Sequence, residues 1–175
     1  RLTDRSQQSE SGVARTLLAL LQLGGDRLTA SGLDAVLGCA SLQERFGLTA
    51  EDCTRLSRLL QRSGFRWGLD GQGRGGDPTH SLAWTIDRLL LGLVLPTQAN
   101  LAPGDAATAP AETGATLELS GRWLHLLTRL RHWLTDLGRP ATVPVWIERL
   151  RQLLGDLFSE AGEASSERLP LLGRS

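Results

Sequence analysis

The sequence contains no lysine, because all 19 of its basic residues are arginines. A phosphate-binding loop of the nucleotide hydrolases needs a lysine after its glycines, so that an ammonium group neutralises the phosphate. The glycine-rich stretch at 71–78 therefore cannot be such a loop, and every lysine-dependent mechanism is excluded with it.

Cysteine is nearly as scarce, with only Cys39 and Cys53 in the chain. Two cysteines do not make a disulfide framework, and we expect small buried residues of a reduced cytosolic protein. A metal site would need histidines as further ligands, and none of the three lies at a ligand-like spacing from a cysteine. We therefore expect no metal and no cofactor.

No excess of charge is present, since 19 acidic residues balance the 19 arginines. A dedicated nucleic-acid binder usually carries a basic surplus, so any DNA contact must come from a local patch. The chain has no apolar stretch long enough for a transmembrane helix, and we expect no membrane association. It begins with Arg1 rather than Met, which favours a piece of a longer protein.

Apolar residues recur at spacings of three and four, which predicts helices almost throughout. Leu119, Trp123, Leu126, Leu130, Trp133 and Leu137 form one such face. Ile147, Leu150, Leu154 and Leu157 form another on a last helix that starts near Pro144. The stretch 81–94 is apolar nearly all round, which is typical of a buried central helix.

These patterns predict an all-α fold, an irregular orthogonal array of about seven helices around one core. We place one helical domain at 1–160, with a mobile loop at 96–116 that is rich in Pro, Ala, Gly and Thr, and a polar tail at 161–175. Trp67 should pack as a lid on the core. The residues expected to be largely buried are Trp84, Leu89, Leu90, Leu126, Leu130 and Leu150.

No pattern of catalytic residues is present, and we expect none in this chain. No serine lies in a nucleophile-elbow sequence. The adjacent carboxylates Glu51 and Asp52 fall at a predicted helix start, where Thr49 and Asp52 can form a capping box. His125 and His132 are seven residues apart, whereas the histidines of a zinc-protease helix are four apart.

Four arginines form a candidate contact surface, which we call the arginine strip: Arg55, Arg58, Arg62 and Arg66. Their spacing of three and four places them near one edge of a helix. They could contact phosphates or the acidic residues of a partner subunit. The alternative is a solvated face that is paired with neighbouring carboxylates.

Several segments resemble one protein family. The most specific are the link Phe65-Arg66-Trp67-Gly68-Leu69-Asp70 and the later helix Trp84-Thr85-Ile86-Asp87-Arg88-Leu89-Leu90-Leu91-Gly92. Less specific are Thr3-Asp4-Arg5-Ser6, Leu17-Leu18-Ala19-Leu20-Leu21 and Leu42-Gln43-Glu44-Arg45-Phe46-Gly47-Leu48. Together they resemble the gamma subunit of bacterial exodeoxyribonuclease V, the RecC family. The resemblance marks Trp67, Gly68 and Asp70 as a structural link.

The resemblance implies a non-catalytic subdomain like the 2B insertion of superfamily 1 helicases. It implies a cytoplasmic bacterial protein whose partners are RecB, RecD and, through the whole complex, duplex DNA. That complex is an ATP-dependent helicase-nuclease that unwinds DNA, recognises Chi and acts in double-strand break repair by recombination. The alternatives are a stand-alone helical interaction module and a small independent enzyme.

Overall fold

The computed structural model describes residues 2–25, 28–72, 75–94 and 115–157, with side chains of the first helix from residue 12 to residue 24. Seven α-helices make up these ranges: α1 (Leu2–Gly25), α2 (Ala30–Leu37), α3 (Ala40–Arg45), α4 (Ala50–Arg62), α5 (Leu82–Val94), α6 (Leu117–Leu137) and α7 (Val143–Leu157). The one β feature in these ranges is an isolated bridge between Thr29 and Trp67. The expectation of an all-α fold with about seven helices is confirmed.

Threonine caps set where three of the helices begin. The side chains of Thr29, Thr49 and Thr116 each accept a hydrogen bond from the backbone N–H three residues later. At Thr49 the bond is reciprocated by Asp52, so the capping box expected from the sequence is present. Helix α1 begins at Leu2, well before the apolar spacing starts at Val13, since the polar residues ahead of Val13 continue the helix.

All seven helices surround a single apolar core, to which each contributes side chains. Helix α6 contacts α1, α5 and α7, whereas α2 contacts α1, α3 and α4. The core-facing residues of α6 match the predicted face: Trp123, Leu126, Leu130, Trp133 and Leu137 are buried, and Leu119 is partly buried. The contact between α1 and α6 therefore joins one half of the fold, helices α1 to α4, to the other half, helices α5 to α7.

The ends of α1 and α6 lie directly against each other. A Cβ atom built at Gly24 would lie 2.7 Å from the Cβ of Leu137, which is closer than real Cβ atoms approach. The absence of a side chain at Gly24 therefore permits this close contact, and both helices stop at the same level of the molecule.

Several burial expectations need correction. Leu89, Leu126 and Leu130 are buried as expected, but Trp84, Leu150 and Trp67 are only half-buried and Leu90 is 43% exposed. Helix α5 is not buried all round, because Leu93 and Val94 are exposed at its end. Its principal helical neighbour among the described residues is α6.

On α7, Leu154 and Leu157 are buried, whereas Ile147 is 39% exposed. The predicted apolar face of α7 is therefore covered at one end only. The loop expected at 96–116 lies outside the described residues except for Ala115 and Thr116, and the tail at 161–175 lies wholly outside them. Among the helices that the structure describes, none has the length and apolar character that crossing a membrane would require.

A pair of leucine substitutions tests this distribution of burial. Leu130 is 0% exposed on α6 and Leu90 is 43% exposed on α5. Leu130→Ala should lower the free energy of unfolding by about 2–5 kcal/mol, because it leaves a cavity in a packed core. Leu90→Ala should lower it by about 1 kcal/mol or less, because little apolar surface is lost. Equal losses in chemical denaturation would contradict the assigned burial.

Candidate functional site

The link at residues 65–70 joins two distant helix starts through its backbone. The N–H of Gly68 donates to the Leu28 carbonyl at 2.7 Å, and the Gly68 carbonyl accepts from the N–H of Leu82 at 2.9 Å. Trp67 forms the isolated bridge with Thr29. The link therefore ties the segment before α2 to the first turn of α5.

Gly68 is suited to this position by its backbone conformation. Its φ of 87° lies in the left-handed region, which glycine adopts without the penalty that a Cβ would bring. Asp70 closes the segment with a side-chain oxygen that accepts from the N–H of Gln72 at 2.9 Å. Trp67, Gly68 and Asp70 thus each make a backbone or side-chain contact within or from the link.

A second set of contacts joins the end of α4 to α5. The N–H of Arg66 donates to the His80 carbonyl at 3.0 Å, and the ring of His80 hydrogen-bonds the Gly64 carbonyl at 2.8 Å. Arg88 donates to the Ser63 carbonyl at 2.6 Å, and its guanidinium lies 4.5 Å from the centre of the Trp84 ring. Trp84 is therefore part of this junction rather than of the inner core.

The arginine strip lies on α4 and just past its end, with unequal surroundings for its members. Arg58, Arg62 and Arg66 are exposed, while Arg55 is half-buried. The Arg55 guanidinium lies 5.7 Å from the centre of the Trp123 ring. Arg66 donates to the carbonyls of Gln61 at 3.2 Å and Phe65 at 3.3 Å. Arg55 and Arg66 therefore also contact other parts of the fold.

A groove of about 440 Å³ lies beside Arg58, between α2 and α4. Ser57 in the groove donates to the Asp34 carboxylate, and Gln43 donates to the Leu37 carbonyl at 2.8 Å. The hydroxyl of Thr54 donates to its own helix backbone at 2.9 Å. The bond from Ser57 joins α4 to α2, and the bond from Gln43 joins α3 to α2.

Among the described residues, the two groups with shifted pKa values both lie at the start of α4. The backbone N–H of Thr49, followed by its hydroxyl, stabilises the carboxylate of Asp52 and lowers its pKa below the ordinary value of 3.8. Burial, and then the charge of Asp52, raise the pKa of the Cys53 thiol to about 11. A buried thiol with so high a pKa is a poor nucleophile. Cys39 and Cys53 are buried free thiols, as expected.

The histidines pack against aromatic rings. His125 lies 5.3 Å from Phe46 and His132 lies 5.3 Å from Trp133, measured between ring centres. Across the described ranges, no group of three or more His, Cys, Asp or Glu residues is placed to hold a metal ion.

Three further arginines connect helices in ways that the sequence did not reveal. Arg122 donates to the Gly47 carbonyl at 2.7 Å, 75 residues away in the chain. Arg129 pairs with Asp156 of α7. Arg149 donates to the carbonyls of Asp136 at 3.0 Å and Arg139 at 2.8 Å. These partners have no local sequence signal, because they meet only when the helices pack.

Comparison with known proteins gives one consistent result. Residues 10–174 match the family model described as "RecBCD enzyme subunit RecC fourth domain". The chain is 26% identical over 155 residues to the RecBCD enzyme subunit RecC of Mycolicibacterium smegmatis, covering 86% of this chain and 14% of that protein. The Escherichia coli RecC is 24% identical over 174 residues, covering 94% and 15% respectively. The Mycobacterium tuberculosis RecC is 27% identical over 156 residues, covering 86% and 14%.

Substituting Gly68 tests the role of the link. Gly68→Ala should lower the free energy of unfolding by about 1–2 kcal/mol, because alanine is strained at a φ of 87°. Gly121 is the matched control, since it lies in α6 and a Cβ there would meet nothing within 4 Å. Gly121→Ala should raise stability by up to about 1 kcal/mol. If both substitutions stabilise the protein in thermal or chemical denaturation, the link is not constrained as described.

The capping box predicts a pH-dependent stability. Folding lowers the pKa of Asp52 below its value near 3.8 in the unfolded chain. The stabilisation of the fold by this carboxylate is therefore fully present above pH 3.8, and it is lost as the pH falls through the pKa of the folded state. Asp52→Asn should therefore cost about 0.5–1 kcal/mol at pH 7 and progressively less below pH 4. Glu51→Gln removes a charge from the same turn and is the control, with a smaller expected effect. Urea denaturation across this pH range measures the loss in free energy of unfolding caused by Asp52→Asn. A loss that is the same at every pH would contradict the assignment.

Proposed function

The chain belongs to the family of fourth domains of the RecBCD enzyme subunit RecC, and from this premise we propose that it is a non-catalytic helical domain of that subunit in a bacterial cytoplasm. Its role is to support duplex DNA binding, unwinding and Chi recognition by the assembled helicase-nuclease during double-strand break repair. RecB and RecD are the partner subunits in this proposal. The observation that carries it is the family match over residues 10–174.

The chain spans 14% or 15% of the length of the relatives that it matches. The proposal therefore assigns ATP hydrolysis and DNA cleavage to other parts of the enzyme. The chemistry of this chain supports that division. It contains no lysine for a phosphate loop. In the part of the chain that the structure describes, the groups with shifted pKa values are a carboxylate at a helix start and a buried thiol.

We propose further that the fold is a 2B-like insertion of the superfamily 1 helicases. This rests on the resemblance of residues 65–70 and 84–92 and agrees with the all-helical architecture. In this arrangement the link would keep α4 and α5 in a fixed relation, since it ties both to the segment before α2. Such a domain would act as a rigid body within the enzyme.

The arginine strip is the proposed contact surface of the domain, either for DNA phosphates or for acidic residues of a partner subunit. Arg58 and Arg62 are the members best placed for this, because both are exposed and both lie on one side of α4. A guanidinium group can pair with two oxygens of a phosphate or a carboxylate at once. With zero net charge on the chain, the contact would be local and would involve few phosphates.

A stand-alone helical interaction module is the alternative function. The coverage of a small part of several long relatives favours the subunit domain instead. The coding region around this sequence distinguishes the two, since a RecC subunit requires a very long reading frame that continues on both sides. A short reading frame that encodes only this helical domain would contradict the main proposal.

The double substitution Arg58→Gln with Arg62→Gln, made in the full-length subunit, tests the strip. If both residues contact phosphates, duplex binding by the assembled complex should weaken, and the slope of log affinity against log salt should flatten by about 1.8. Filter-binding or fluorescence anisotropy at several salt concentrations measures both quantities. Arg55 and Arg66 are left intact because they also contact Trp123 and the end of α4.

The control is Arg15→Gln with Arg131→Gln, which removes two exposed arginines from other helices. It should leave both affinity and slope unchanged. Weaker assembly with RecB and RecD, at unchanged DNA affinity of the purified complex, would identify the strip as a subunit contact. If neither assembly nor DNA binding changes, the strip is a solvated face and this part of the proposal is wrong.

A further inference from the structure

Helix α7 carries an apolar face that is covered along only part of its length. At about 100° per residue, Val143, Ile147, Leu150, Leu154 and Leu157 fall on one side of the helix. Leu154 and Leu157 are buried and Leu150 is half-buried, but Ile147 is 39% exposed and Val143 is 72% exposed. The face therefore continues past the edge of the core.

The pairing of α6 with α7 explains why the first turns of α7 are uncovered. Arg149 of α7 donates to the Asp136 carbonyl of α6, and Asp156 of α7 pairs with Arg129 of α6. The two contacts are seven residues apart in each helix but run in opposite directions, so the helices are antiparallel. This antiparallel register places Ile147 level with the end of α6 at Leu137. Val143 lies beyond that end, in a region that α1 does not cover either, since α1 stops beside Leu137.

The projecting turns are held in place from within the domain. Arg149 donates to two carbonyls at the end of α6, those of Asp136 at 3.0 Å and Arg139 at 2.8 Å. The Arg149 guanidinium also lies 5.6 Å from the centre of the Trp146 ring. The N–H of Trp146 donates to the Thr142 carbonyl at 2.9 Å. A surface fixed in this way loses little conformational entropy on binding.

We infer that Val143 and Ile147 form a docking surface for another domain of the same polypeptide in the full-length subunit. The relatives carry this domain within chains of which it covers 14% or 15%, so most of the polypeptide lies outside it. The occupant presents an apolar surface, with a carboxylate facing Arg151. That arginine is exposed one helical turn after Ile147 and borders the apolar face.

The size of the patch favours this occupant over a second copy of the chain. Two projecting side chains and a half-buried leucine are far less than the roughly 1,000 Å² that a stable interface between separate proteins needs. A covalently connected domain is present at a high effective concentration, so a small apolar contact suffices to hold it.

Thiol labelling at Ile147 tests the inference. Ile147→Cys and, as the matched control, Val145→Cys are made in this chain and in the full-length subunit. Val145 is 45% exposed and lies on the opposite side of the same helix. In the isolated chain both new thiols should react quickly with a maleimide. In the full-length subunit the thiol at 147 should react about tenfold more slowly, because access is blocked, while the thiol at 145 keeps its rate. Peptide mass spectrometry identifies the modified site.

A charge variant guards against an indirect effect of the cysteine. In the full-length subunit with a Val143→Cys reporter, Ile147→Glu should raise the labelling rate to that of the isolated chain, whereas Val145→Glu should not. Equal rates at 147 in the two contexts would overturn the inference. So would protection that develops in the isolated chain as its concentration rises, which indicates a second copy. Protection that develops only when RecB or RecD is added would assign the surface to a different subunit and would equally overturn it.

Discussion

The burial of one face of α6 is the interaction on which the rest of the fold depends. Helices α1, α5 and α7 all pack on α6, and the two halves of the domain meet where α1 crosses it. Trp123 and Trp133 are buried on this face, although neither indole N–H has a hydrogen-bond partner within the described residues. An unpaired buried donor costs about 1–3 kcal/mol. Burying 150–250 Å² of each ring contributes roughly 4–6 kcal/mol, so apolar burial outweighs the cost.

Arginine supplies the polar connections around this core. Arg66, Arg88 and Arg149 each donate to backbone carbonyls at or just beyond a helix end, where acceptors lack partners inside the helix. A guanidinium has five N–H donors in a planar group, so one side chain can serve two carbonyls, as Arg149 does. Among the described residues, these three arginines therefore bond to the backbone of the protein itself and are less available to a ligand.

Apolar spacing and capping patterns predicted the elements of this fold well, because both are local. The face from Trp123 to Leu137 and the capping box at Thr49 follow from residues three and four apart. Burial was predicted less well. The spacing that places Leu90 on α5 and Ile147 on α7 identifies a side of the helix, but exposure depends on whether a neighbour covers that side. The carbonyl bonds of Gly68 and Arg122 were also missed, since their partners are distant in sequence.

The docking surface inferred on α7 consists of two apolar side chains that remain exposed in the fold. Val143 and Ile147 lie four residues apart on one side of the helix, so their exposed side chains are adjacent to each other. The register fixed by Arg149 and Asp156 prevents α7 from sliding to bury them against α6, since such a shift would break the bonds to the Asp136 carbonyl and to Arg129. Helix α7 thus contributes Leu154 and Leu157 to the core, yet keeps its apolar first turns in a fixed position outside that core. A surface that is fixed but uncovered matches a domain that folds as one unit and is completed by contact with its surroundings.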